Sequence, residues 1–243
     1  MCELMAVATP EPRPFSTLAG LATSLERYGV AGFGWGVAWL DGEGQVCCVR
    51  GLGRFAEEGA TDDELGERRS TRFLVHLRRP SRLSTVQMAD TQPFVDDGRG
   101  AFCHNGFLAR AEELRPEFSH ELEGRADSEV GWALFRRERG AGAGVPEALR
   151  AVDDAFGGSV NLGYLGSDGL LVAYARSATN ATWRFALDGA AVAATALHSD
   201  DESLFDLVFG AATDARPVEP GTAEVVGAPT VAAVGHSGEG AGR

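Results

Sequence analysis

Cys2 is the residue with the most direct chemical meaning in this chain. A small side chain at position 2 permits removal of Met1, and the exposed residue would then hold a thiol and a free α-amine together. An α-amine has a pKa of about 7.7–8.0, so near neutrality part of it is unprotonated and can act as a base. A nucleophile armed by its own N-terminal amine performs acyl transfer. Taken alone, a cysteine near the start of a chain is more often inert than reactive, so its meaning depends on what accompanies it.

Five short stretches follow in order. Phe33-Gly34-Trp35-Gly36 is a glycine-rich turn entering a strand. Residues 73–81 form a strand that runs into the pair Arg78-Arg79. Thr91-Gln92-Pro93-Phe94 comes next. Phe102-Cys103-His104-Asn105-Gly106 ends another strand, and Ala126-Asp127-Ser128-Glu129 opens a helix. Each stretch also has an ordinary use. Arginines mostly lie on solvated faces, and either Arg78 or Arg79 could serve as a ligand. Asp127 and Ser128 both suit a helix N-cap. Asn105-Gly106 suits a type I′ turn, and Gly34 and Gly36 permit tight backbone beside Trp35. Cys103 next to His104 invites a Cys–His dyad, but neighbours on a strand point to opposite faces. Cys47-Cys48 reads as strand filler.

As an ordered set following Cys2, these stretches resemble the class-II glutamine amidotransferases. The likeness is to short stand-alone members that begin Met-Cys-Glu-Leu and contain Gly-Trp-Gly and His-Asn-Gly, and it extends to the helix opened by Asp127. It implies an α+β fold, the four-layer αββα sandwich of N-terminal-nucleophile hydrolases. It implies that Cys2 attacks the side-chain amide carbon of glutamine, giving a γ-glutamyl thioester and ammonia, and that water then releases glutamate. The Asn105 side-chain amide and the Gly106 N–H would form the oxyanion hole, where donors meet developing negative charge. Arg78 would grip the substrate α-carboxylate, a task suited to a guanidinium, and Asp127 would pair with the α-ammonium. Gly34, Trp35 and Ser81 complete the implied substrate-binding set.

No cofactor and no metal is implied. The implied partners are glutamine or another γ-glutamyl amide and an acceptor synthase acting in trans, with homo-oligomerisation left open. Three positions depart from the family pattern: Phe33 stands where Asp is common, Pro80-Ser81 where Ala-Thr is usual, and Gln92 where His often precedes Pro-Phe. These bear on substrate fit rather than on the nucleophile, the oxyanion donors or the charge pair. Alternatives are hydrolysis of a larger γ-glutamyl metabolite, a non-catalytic glutamine-binding regulatory module, and a thiol hydrolase of other specificity using Cys2 or Cys103.

The elements that must position these residues follow from periodicity. An apolar strand is expected over 2–7. Phe15, Leu18, Leu21, Ala22 and Leu25 recur at helical spacing, with Gly29 as the stop. Strands at 37–40 and 46–49 flank Asp41-Gly42-Glu43-Gly44, a hairpin signal. Thr61 with Glu64 forms a capping box for a helix to about Arg69. Strands are expected at 73–77 and 101–104. A helix near Asp127 carries Val130, Ala133 and Leu134 on one face. The glycines of 140–144 break it, and Pro146 opens another helix to Phe156. Strands at 160–165, 170–175, 183–187 and 191–195 and a helical segment at 203–209 complete the list. Strands and helices come in runs, which predicts α+β. One domain is expected over 2–234, with 235–243 a disordered tail that has nothing to bury.

Composition bounds the function. The chain has 243 residues, 44% hydrophobic and 23% charged, enough for a sizeable core. Its formal charge of −13 repels phosphate backbones and anionic lipid, which argues against nucleic-acid binding. No apolar run reaches the roughly 20 residues of a membrane helix. Glu3, Glu11 and the prolines at 10, 12 and 14 do not suit a signal peptide. Four cysteines without a CxxC and five histidines without an HxH or HExxH pairing give a metal site no local support. A cytoplasmic protein is expected.

Overall fold

The computed structural model describes residues 2–177, 179–195 and 202–227. In chain order its regular elements are β1 (Glu3–Pro14), α1 (Ser16–Tyr28), β2 (Trp35–Leu40), β3 (Val46–Gly51), α2 (Asp63–Glu67), β4 (Arg69–Leu77), β5 (Phe94–Asp96) and β6 (Gly100–Leu108). They continue with α3 (Ala111–Leu114), α4 (Asp127–Gly140), α5 (Val145–Phe156), β7 (Gly158–Gly166), β8 (Leu171–Ala175), β9 (Thr182–Leu187), β10 (Ala190–Thr195), α6 (Glu202–Phe209), β11 (Thr213–Pro217) and β12 (Thr222–Val225). Among the described residues no helix is long and apolar enough to cross a membrane.

Two antiparallel sheets result. One has the order β11-β9-β10-β1-β4-β2-β3, the other β12-β8-β7-β6-β5. Strand alternation divides their side chains into three cores. Met5 and Val7 of β1, with Val37, Phe73, Val75 and Val192, face outward against α1, which contributes Leu18, Ala22 and Leu25. Phe102, Leu162 and Tyr174 of the second sheet face outward against Val130, Leu134 and Phe135 of α4 and Leu149, Val152 and Phe156 of α5. Between the sheets lie Leu4, Ala6, Ala8, Ala38, Ala101, Cys103, Ala173, Ala191 and Ala193. Alanines dominate this middle layer, and their small volume lets the two sheets close on each other with few voids. The architecture is the αββα sandwich.

Most elements lie where periodicity places them, including the hairpin, which pairs as β2 and β3 with Val37 opposite Val49. Three differences have physical causes. The first strand runs on to Pro14 with a register shift between Ala8 and Arg13, because β4 continues to pair with it up to Arg69. The helix expected after Thr61 is capped by Asp62, whose carboxylate accepts the Leu65 N–H at 3.1 Å. Thr61 instead donates its hydroxyl to the Glu57 carbonyl at 2.8 Å. The strands β5, β11 and β12 were not anticipated by the pattern; they are short, and every residue of β11 is exposed. The expected tail at 235–243 lies outside the described residues.

Candidate active site

The same alternation that builds the middle layer gathers the reactive residues. Leu4, Ala6 and Ala8 point between the sheets, so stepping back to Cys2 keeps the same side. Leu4 is paired with His76 in register, and from Leu74 and His76 the next residue of that parity is Arg78. On β6, Ala101 and Cys103 point inward, followed by Asn105. On β7 the residue opposite Asn105 is Asn161. Four strand ends therefore deliver Cys2, Arg78, Asn105 and Asn161 to one end of the inter-sheet space. The other face of β6 carries Phe102 and Leu108 toward α4, where Asp127 accepts the Leu108 N–H at 2.8 Å.

Cys2 is half-buried. Its Sγ accepts the Arg79 backbone N–H at 3.3 Å. Burial pushes the Cys2 thiol above the ordinary range, outweighing the Arg79 hydrogen bond and the Arg78 charge that favour the thiolate. Near neutrality it is a thiol, and attack requires a base. Asn105 is fully buried, and its side-chain amide donates to the Cys2 carbonyl. Gly106 has φ +133°, and a Cβ there would overlap the Ser159 carbonyl. Only glycine fits this bend of β6.

Arg78 is buried at 3% exposure. Its Nη2 donates to Thr85 Oγ1 at 2.9 Å, while the buried Nη1 has no hydrogen-bond partner among the described residues. Burial lowers its pKa, with Cys2, Asp90 and Asp127 opposing that effect. Its main chain is clamped by Gly34, whose carbonyl accepts the Arg78 N–H at 2.8 Å. Gly34 has φ +128° and sits behind the Arg78 side chain. Asp127 is the first residue of α4, where a carboxylate is favoured by the helix dipole. The N-cap is Ala126, with no side-chain capping bond, so neither Asp127 nor Ser128 caps the helix. Ser128 Oγ accepts from Gln92 Nε2 at 3.0 Å instead.

A cleft open to solvent joins these groups: Cys2, Arg78, Gly106 and Asp127 line it together with Pro80, Ser81 and Gln92. Asn105 lies behind its wall, and Gly34 acts through Arg78. Trp35 is elsewhere: its Nε1 donates to Glu58 at 3.0 Å and its ring packs at 5.5 Å on Phe55, in the core beneath α1. Cys103 is sealed in the middle layer, where burial pushes its thiol well above the ordinary range. His104, on the opposite face, contacts the Ser159 carbonyl at 3.3 Å through Nε2, and burial lowers its pKa. The two do not form a dyad.

The departures from the family pattern have distinct places. Phe33 is 44% exposed. Gln92 is a staple: its Oε1 accepts the His104 N–H at 2.6 Å while its amide holds Ser128. Sequence reasoning missed Thr85, which holds Arg78, and Asn161, which donates to Asn105 Oδ1 at 2.9 Å. The signal for Asn161 was present, as a lone amide inside an otherwise apolar strand.

Comparison with known proteins gives the family and the fold. The sequence profile described as "Glutamine amidotransferases class-II" matches residues 1–200. No curated protein sequence matches. The fold is similar to that of the glutamine phosphoribosylpyrophosphate amidotransferase of B. subtilis solved with ADP and GMP, at 20% identity and a TM-score of 0.70 over 92% of this chain and 47% of that one. A structure described as the allosteric regulatory enzyme of purine biosynthesis gives 21% identity and a TM-score of 0.72, over 92% and 46%. This chain thus spans about half the length of either. A glutamine aminotransferase class-II domain protein from Silicibacter pomeroyi matches over 93% of this chain and 95% of its own, at 18% identity and a TM-score of 0.57. With the family profile covering most of its length and the αββα sandwich beneath it, the chain belongs to the class-II glutamine amidotransferases, enzymes that hydrolyse the side-chain amide of glutamine.

Proposed function

We propose that this chain hydrolyses a γ-glutamyl amide, glutamine by default, through a thioester on Cys2 once Met1 is removed. The freed α-amine takes the Cys2 proton as Sγ attacks the amide carbon, and the carbonyl oxygen becomes an oxyanion facing Asn105 and Gly106. Collapse of that intermediate breaks the C–N bond, and the protonated amine supplies the leaving ammonia with its proton. Water then attacks the thioester and restores the thiol, releasing glutamate. The observation that carries this reading is the buried Arg78 Nη1 with no partner among the described residues, in the same cleft as Cys2 and Asp127. A buried donor on a cation is costly to leave unmade, and a substrate α-carboxylate would fill it. Asp127, its Oδ2 held by Leu108, offers the opposite charge for the α-ammonium.

The test is intact-mass spectrometry of the purified chain after incubation with a glutamine analogue carrying an electrophilic carbon at the amide position. Loss of Met1 and one adduct on Cys2, suppressed by excess glutamine, is the expected result. Retained Met1 with no adduct would favour the non-catalytic binding module.

A second reading concerns the leaving amine. Arg79 and Arg125 also line the cleft and have no ion-pair partner among the described residues, whereas Arg82 is paired with Glu112 at 3.2 Å. On a chain of charge −13, two free cations there favour a larger γ-glutamyl compound whose amine portion is anionic. Glutamine itself has no charge to offer them once its head group is bound. An acceptor synthase in trans and a cytoplasmic setting remain part of the proposal in its ammonia-donating form.

A further inference from the structure

An amide side chain used as an oxyanion donor has a weakness that a backbone N–H does not. Its oxygen and nitrogen are nearly the same size, and a half-turn replaces the donor with an acceptor. If Asn105 turned, a carbonyl oxygen would face the developing negative charge. Something must therefore fix which way its amide points.

Two groups do this from opposite sides: the Cys2 carbonyl, a fixed acceptor that takes an Asn105 N–H, and Asn161, whose own polarity is fixed. Asn161 sits directly opposite Asn105 on β7 and is fully buried. Its Oδ1 lies 3.3 Å from the backbone N–H groups of Arg176 and Ser177, which can only donate. Its Nδ2 lies 2.7 Å from the Asn180 carbonyl, which can only accept. Groups of fixed polarity on both sides hold Asn161 in a single orientation. Its remaining N–H then points at Asn105 at 2.9 Å, so the atom of Asn105 that meets it must be the oxygen. The Asn105 nitrogen is left facing Cys2, and one of its two hydrogens is taken by the Cys2 carbonyl. The other is the one that the proposed oxyanion role requires.

We infer that Asn161 is a positioning residue for the amide-hydrolysis reaction, setting the polarity of Asn105 through a hydrogen-bond chain anchored on the backbone of residues 176, 177 and 180. This rests on the proposed role of Asn105 as an oxyanion donor. Asn161 touches neither the substrate nor Cys2, so its influence passes entirely through Asn105.

The test is a substitution that reverses the polarity without removing bulk. In Asn161→Asp the carboxylate can only accept, so it draws the Asn105 nitrogen toward itself and turns the Asn105 oxygen to the reacting centre. Asn161→Leu removes the link without reversing it. Glutaminase kcat is expected to fall on the order of 10²–10³-fold in Asn161→Asp, the scale of losing one oxyanion donor, and less in Asn161→Leu, with KM changed little in either. A merely structural role would make the leucine at least as damaging as the aspartate. In an Asn105→Ala background, Asn161→Asp should cost almost nothing further, because the two act as a unit. Thermal melts establish that each variant is folded. A folded Asn161→Asp with near-normal kcat, or a full loss that persists without the Asn105 amide, would overturn the inference.

Absence of turnover in the unsubstituted enzyme would count against the proposed function, not against Asn161. In that event the nitrogen-15 and proton resonances of the Asn105 side-chain amide decide. They should shift and lose exchange protection in Asn161→Asp, and unchanged resonances would overturn the assignment.

Discussion

Arg78 offers the sharpest perturbation, because binding and stability should move in opposite directions. In the free protein its guanidinium is buried, with Nη2 on Thr85 Oγ1 and Nη1 unpartnered among the described residues. An unmade hydrogen bond from a buried group costs about 1–3 kcal/mol. Arg78→Met retains the aliphatic stem and removes that cost. It forfeits the bond to Thr85, but the Thr85 hydroxyl still donates to the Arg82 carbonyl at 2.7 Å. The net expectation is a protein as stable as the parent or about 1–2 kcal/mol more so, and at about 2–4 °C per kcal/mol for a domain of this size the larger gain raises Tm by about 2–8 °C. Against that, one charge-assisted hydrogen bond to a substrate carboxylate is worth about 1.5–3 kcal/mol. At about 1.4 kcal/mol per tenfold, kcat/KM for glutamine should fall roughly 10–100-fold, mostly through KM. The assays are glutamate release over a range of glutamine concentrations and calorimetry with and without glutamine. Glutamine should raise Tm in the parent but not in the variant, since only a state that binds ligand is stabilised by it. A variant that melts several degrees lower while keeping its KM would refute the reasoning and make Arg78 a structural cation.

Other perturbations test neighbouring parts of the site. Gly106→Ala forces a Cβ against the Ser159 carbonyl at φ +133°; it should cost about 1–3 kcal/mol of stability, read by denaturant unfolding, and abolish most turnover. Alkylation of Cys2 by iodoacetamide should be slower than that of a free cysteine at pH 8 and still be rising past pH 9, because burial holds the thiol above its ordinary range. A rate that levels off below pH 8 would contradict this. His76 is buried, with its pKa pushed down to about 3 by burial first and the Arg78 charge second. The unfolded chain therefore binds a proton near pH 6.5 that the folded chain refuses, and stability is lost as pH falls from 6.5 toward 3. His76→Gln, whose amide can still meet the His104 carbonyl, should flatten Tm over that interval; an unchanged slope would assign the acid sensitivity to other groups, His104 first.

Much of the site was legible because β-structure has a period of two. Cys2 shares a face with Leu4, Ala6 and Ala8, and Asn105 with Ala101 and Cys103, by counting alone. The dismissal of a Cys103–His104 dyad rested on the same count, and the structure puts those residues on opposite faces of β6. Helices with strong apolar periodicity were equally readable. Val130, Ala133 and Leu134 are all buried in α4, and Pro146 opens α5.

What sequence could not decide was which faces meet. Pairing of Asn105 with Asn161, or of Leu4 with His76, joins residues remote along the chain, and no local pattern encodes that register. Tertiary placement alone separates the adjacent arginines: Arg78 is buried with a donor to spare, while Arg79 is exposed and meets Cys2 through its backbone N–H and carbonyl. It also moves Trp35 from the implied substrate set into the core, because the β2 position after Gly34 faces α1 rather than the cleft. The capping roles weighed for Asp127 and Ser128 pass to neither, since Asp127 is held by Leu108 and Ser128 by Gln92. Sequence by itself determined which residues share a strand face and which types of group were on hand. Only the packing of one sheet on the other decided which of them share a cleft, because that choice depends on contacts between segments a hundred residues apart.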